Sequence, residues 1–128
     1  MSPALLAKPC SLTPREAVID TVTRLVTALD YNDLEGFRDT FLGEESVMVL
    51  NGGASKTLDS LSSIVKNVFD LIGPMDSTHM MTNIRVVLKD NADTAVFTSF
   101  VLAQHCETGK GRDPAAPKWL VEIGRAHV

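Results

Sequence analysis

The stretch Thr-His-Met-Met-Thr-Asn-Ile-Arg-Val-Val-Leu-Lys (78–89), Asp-Asn-Ala-Asp (90–93), Thr-Ala-Val-Phe-Thr-Ser-Phe-Val-Leu-Ala-Gln-His-Cys (94–106) decides the fold. Two long runs rich in β-branched and aromatic residues flank a four-residue polar turn, the pattern of an antiparallel hairpin. Strands of this length need a partner layer to bury one face. In the second run, alternation puts Phe97, Ser99, Val101, Ala103 and His105 on one face and Val96, Thr98, Phe100, Leu102, Gln104 and Cys106 on the other, both half-buried. In the first run His79 shares a face with Met81. Pairing through the turn at Asn91 brings the His79 and His105 ends to the same side of the sheet, an arrangement sensitive to any bulge.

Upstream lie the helices. Thr13-Pro14-Arg15-Glu16 is a helix start with capping-box chemistry. Val18, Ile19, Val22, Leu25, Val26 and Leu29 then follow one helical face, with Arg15, Asp20 and Arg24 left for the outer side. Asp30-Tyr31-Asn32-Asp33 breaks the pattern. Asn32 with Glu35 opens a shorter helix that turns Leu34, Phe37 and Phe41 inward and stops at Gly43. Ser46 to Leu50 reads as a short strand ended by the turn Asn51-Gly52-Gly53. Residues 58–72 keep helical spacing up to Gly73-Pro74. After a loop at 107–117, residues 118–123 return to strand. Helices followed by a meander of long strands make an α+β domain with the helices gathered on one side of a curved antiparallel sheet, which leaves a hollow suited to a small hydrophobic molecule.

Composition narrows the function. The chain has 128 residues, 45% hydrophobic and 22% charged, enough for one core. A net charge of -4 gives no basic field for nucleic acid. Nothing approaches a membrane span. Cys10 and Cys106 stand apart, without metal-ligand spacing, and read as reduced thiols in a cytoplasmic setting; no metal or other cofactor is expected. No nucleophile motif or phosphate loop is present.

The titratable residues remain. Each histidine alone reads as an ordinary core or edge residue. Asp30 ends an apolar helix, where the dipole disfavours a carboxylate, so it either caps the next helix or belongs to a site. As a set, Asp30, His79 and His105 form a sensible acid–base group across an apolar hollow, suited to proton abstraction beside a carbonyl or to loss of water.

The broken helix pair at Leu-Asp-Tyr-Asn-Asp-Leu-Glu (29–35), the Thr-His-Met-Met-Thr-Asn strand (78–83), Asp93-Thr94-Ala95 and Val-Leu-Ala-Gln-His-Cys (101–106) resemble the SnoaL-like superfamily, whose cone fold is shared with nuclear transport factor 2, ketosteroid isomerase and scytalone dehydratase. The resemblance covers Thr13 to Leu120. It implies a cystatin-like α+β barrel in which a cone-shaped sheet packs against three helices. The chain looks most like fungal proteins of the scytalone dehydratase-like branch, which places an Asp at the end of the first helix and a His on each of two long strands. On that analogy Asp30, His79 and His105 are catalytic: the histidines act as general base and acid in a syn elimination, and Asp30 orients an imidazole or binds a substrate hydroxyl. Tyr31, Met48, Leu50, Met81, Phe97, Ser99 and Val101 are the candidate substrate-lining residues. Where that branch carries tyrosines on its first strand, this chain has Val47, Met48, Val49 and Leu50, so scytalone itself is not the implied substrate. The resemblance implies a homodimer. The expected activity is a cofactor-independent dehydratase or isomerase on a cyclic or polyketide-like hydroxy-ketone; the alternative is a non-catalytic ligand-binding or dimerisation module. Residues 1–12 read as a tail and 13–122 as the domain. Ile-Gly-Arg-Ala-His-Val (123–128) reads as non-native sequence in place of the closing strand expected of the family.

Overall fold

A computed structural model describes residues 11–51, 54–90 and 93–123, and side chains as far as 119. The expected turn glycines 52–53, the hairpin tip 91–92, Cys10, most of the N-terminal tail and residues 124–128 of the expected non-native tail, including His127, lie outside the described residues. The architecture is the α+β one that the sequence implies: helices, a small hairpin, and a three-stranded antiparallel sheet.

Helix α1 (Pro14–Asp30) starts as its sequence dictates. Thr13 accepts from the Glu16 amide at 3.2 Å and Glu16 returns a bond to the Thr13 amide at 2.8 Å. Val22, Ala28 and Leu29 are buried. Arg24, expected on the outer side, is buried as well. Its guanidinium bonds Asp20 (2.9 Å) and Asp39 of the next helix (3.2 Å), so it ties two helices together where a free charge could not be sequestered.

Helix α2 (Leu34–Asp39) is capped by Asp33, whose carboxylate accepts from the Gly36 amide at 3.0 Å, not by Asn32. Asn32 instead takes a positive φ of 53°, a conformation that asparagine tolerates, and so reverses the chain. The helix ends at Asp39, short of Gly43, and Leu34 is exposed while Phe37 is sealed. Strand β1 (Met48–Leu50) pairs antiparallel with β2 (Lys56–Leu58), a strand too short for its alternation to be read from sequence. Helix α3 therefore begins at Leu61, after the Ser60 cap, and not at Leu58. It runs as an α-helical Leu61–Ile64, a π-helical Val65–Phe69 and a last turn Asp70–Ile72. Ala28, Leu29, Phe37, Leu58, Ile64 and Phe69 form one buried cluster joining all of these pieces.

The sheet has the order β3 (Asp76–Leu88), β4 (Ala95–Cys106), β5 (Lys118–Ile123). Helix α1 lies antiparallel to β3. The Arg15 guanidinium reaches the Val86 carbonyl at one end, and Asp30 reaches His79 at the other. The lengths match: 15 helical residues rise about 22 Å, and seven strand residues span about 23 Å. Val22, Val86 and Phe97 form the core beneath α1. The two faces of β4 are unequal, because Phe100 and Leu102 on the outer face are exposed whereas Phe97, Ser99, Val101, Ala103 and His105 are buried. No helix among the described residues is long and apolar enough to cross a membrane.

Candidate functional site

The hairpin changes phase in its middle. From Leu88 to Arg85 the pairs are Leu88 with Ala95, Val86 with Phe97 and Arg85 with Thr98; from Thr82 to Asp76 they are Thr82 with Phe100, His79 with Ala103 and Ser77 with His105. Two residues of β3, Asn83 and Ile84, thus face the single Ser99, a β-bulge, and Asn83 carries the positive φ of 54° that it requires. Continuous pairing from the turn would set His79 opposite Gln104, on the outer face. The bulge shifts it to Ala103, on the face of His105. The irregularity that was a threat to the expected arrangement is what creates it.

On that face the titratable groups converge. Oδ1 of Asp30 lies 2.6 Å from Nδ1 of His79, and Oδ2 accepts from the His79 backbone N–H at 3.1 Å. The carboxylate is held at both oxygens. Since Asp33 caps α2, the cap alternative for Asp30 falls away. The His79 side chain is 5% exposed. With Nδ1 committed to Asp30, Nε2 is left for chemistry. The His79 and His105 rings meet edge to face, their centroids 5.4 Å apart. Nδ1 of His105 in turn lies 2.8 Å from the Ser77 hydroxyl. A hydroxyl donates or accepts, so Ser77 suits either tautomer of His105.

Burial, with the nearby charge of His79 second, pushes the His105 pKa below its ordinary value, and the Asp30 carboxylate opposes this in part. His105 is accordingly neutral at pH 7. The sign follows for stability. The unfolded chain binds a proton at this residue near pH 6.5, before the folded chain does, so its contribution is whole above that pH and declines as the pH falls below it. His105→Gln should flatten the decline in urea-unfolding free energy as the pH falls below about 6.5.

The other candidates divide. Met81, Ser99 and Val101 share the histidine-bearing face. Phe97 shares it too but is sealed under α1 against Val22 and Val86. Met48 packs on the helical cluster, Leu50 is exposed, and Tyr31, following Asp30 at the end of α1, is 54% exposed; these three lie on other elements. The Ser99 hydroxyl, opposite the bulge and buried, has no hydrogen-bond partner among the described residues. Sequence reasoning missed Ser77. It lies two residues before His79 and so on the same face, but its place opposite His105 follows only once the bulge is known.

Comparison with known proteins places the chain. Residues 11–127 match the family model described as SnoaL-like domain. Terrestric acid biosynthesis cluster protein E of Penicillium crustosum is 35% identical over 114 residues, covering 86% of this chain and 70% of its own. Among solved structures, a proposed aromatic ring hydroxylase from Novosphingobium aromaticivorans superposes with a TM-score of 0.64 over 93% of this chain and 87% of its own, at 21% identity, a likeness of fold alone.

Proposed function

The chain belongs to the SnoaL-like domain family, and from that footing we propose that it is an enzyme of small-molecule biosynthesis, a cofactor-independent dehydratase or isomerase for a cyclic or polyketide-like hydroxy-ketone. The observation that carries this reading is the run Asp30, His79, His105, Ser77: two imidazoles in contact on one face, each with a different partner at its Nδ1. The relative's place in a biosynthesis cluster supports the substrate class.

In this reading the two histidines divide the work. His105, kept neutral by burial, takes the proton beside the substrate carbonyl, and its Nδ1–H donates to Ser77. His79, its Nδ1 held by the Asp30 carboxylate, gives a proton from Nε2 to the departing hydroxyl. The C–H and C–O bonds break, a carbon–carbon double bond forms, and water leaves. Solvent then returns each imidazole to its starting state. In an isomerisation the same pair moves a proton from one carbon to another.

The test is turnover of a panel of cyclic β-hydroxy-ketones, followed by the absorbance of the conjugated product. His79→Ala and His105→Ala should each lower kcat/KM by roughly 10²- to 10⁴-fold. Unchanged activity in both variants, or no turnover across the panel by the unaltered chain, rejects the assignment.

A further inference from the structure

The register that places His105 opposite Ser77 on one side places it opposite Trp119 on the other. Directly opposed residues of antiparallel strands carry their side chains on the same face, with Cβ atoms about 4.5–5.5 Å apart. Ser77, His105 and Trp119 therefore form a row across the three strands, and His79, two residues along β3 from Ser77 on the same face, meets His105 from the diagonal position. Along the rest of that face of β4 the side chains are buried, yet Trp119 is 51% exposed. The reason is its place in the sheet. Helix α1 packs mainly over β3 and only reaches β4, and β5 borders β4 alone among the described strands. A single exposed aromatic residue is ordinary on a protein surface. An indole left half open across from the buried, hydrogen-bonded imidazole of His105, which itself meets His79, is a different matter, since ring faces next to acid–base groups are where a flat ligand gains contact and chemistry together.

We propose that Trp119 is a wall of the ligand site and that the site takes a planar, conjugated or aromatic ring stacked on the indole. With neighbouring strands about 4.8 Å apart, a ring system of one or two rings lying on Trp119 reaches His105 and spans toward His79. This rests on the proposed dehydratase or isomerase reading and deepens it. A cyclic hydroxy-ketone is puckered, and loss of water makes its ring conjugated and flatter. A stacking wall therefore holds the flattening ring of the transition state better than the puckered substrate, which is the direction in which binding accelerates a reaction.

The experiment compares two probes of matched size and hydroxyl placement, 2,7-dihydroxynaphthalene and its saturated counterpart decahydronaphthalene-2,7-diol, by calorimetric titration. Trp119 is the single tryptophan of the chain, so its indole N–H resonance reports stacking without ambiguity. The unaltered chain should bind the planar diol about tenfold more tightly than the saturated one and show an upfield shift of that resonance. Trp119→Leu should lose that preference, and Trp119→Phe should keep most of it. Equal binding of the two diols, no binding of the planar diol, an unshifted indole resonance, or unchanged preference in Trp119→Leu overturns the proposal. Failure of the catalytic reading is separate, because it shows in turnover by His79→Ala and His105→Ala, whereas stacking is read from binding alone.

Discussion

Asp30→Asn is expected to lower turnover roughly 10²- to 10⁴-fold while leaving the fold in place. The amide has the shape of the carboxylate, so the helix end and the bond from the His79 backbone N–H survive. What is lost is the charge. An Asn side chain can present its NH₂ toward Nδ1 of His79 and so favour the tautomer that carries its proton on Nε2, and it offers no negative partner when the imidazole is protonated. The check is kcat and KM together with a thermal melt: a fall in kcat with Tm held within a few degrees supports the role of Asp30 as a positioning residue acting through His79. Unaltered kcat removes Asp30 from the mechanism. Asp30→Ala is a poorer test, because it also leaves the backbone N–H without its partner and confounds chemistry with stability.

Phe37→Ala should have the largest effect on stability, a loss of about 3–5 kcal/mol. Phe37 is 0% exposed, and its ring lies 5.2 Å from those of both Phe41 and Phe69. It sits where α1, α2 and α3 meet, so the cavity left by truncation has walls on three helices and collapses poorly. Because a domain of this size is stable by only about 5–15 kcal/mol, the loss removes a large part of the total. The urea midpoint measures it, and a shift corresponding to less than about 1 kcal/mol would mean that the cluster is not the structural centre of the helical layer. Leu29, one residue before Asp30, belongs to the same cluster, so the variant should also lower kcat by loosening the carboxylate's seat.

Much of this was legible before any coordinates. The capping box at Thr13 and Glu16, the apolar face of α1 and the two long strands follow from local chemistry, and the structure bears them out. The missed features have a common cause, in that each depends on a partner remote in sequence. Arg24 is polar by type and buried because Asp20 and Asp39 converge on it. Lys56 to Leu58 becomes a strand only because Met48 to Leu50 lies beside it. Asn32 and Asp33 are both capping residue types, and the sharp reversal after α1 decides which of them caps. For the site, the residue types and their elements were readable from sequence, whereas the contact between His79 and His105 was not. That contact depends on the odd residue of β3 being bulged out of the pairing at Asn83–Ile84, which no alternation pattern marks.

That extra residue gives the hairpin something like a reading frame. Between Met81 and Val86, both inward-facing, the spacing is odd, and the Asn83–Ile84 bulge absorbs the difference so that each half of the strand stays in its own phase. A form of this chain shorter by Asn83 would pair Ile84 with Ser99 in plain alternation and keep both histidines inward. A form shorter by two residues in the same stretch would put one half of the strand out of phase and turn its inward side chains to the solvent. Length changes in this segment therefore act on the site by parity and not by size, and in related sequences a one-residue gap here is compatible with an intact histidine pair.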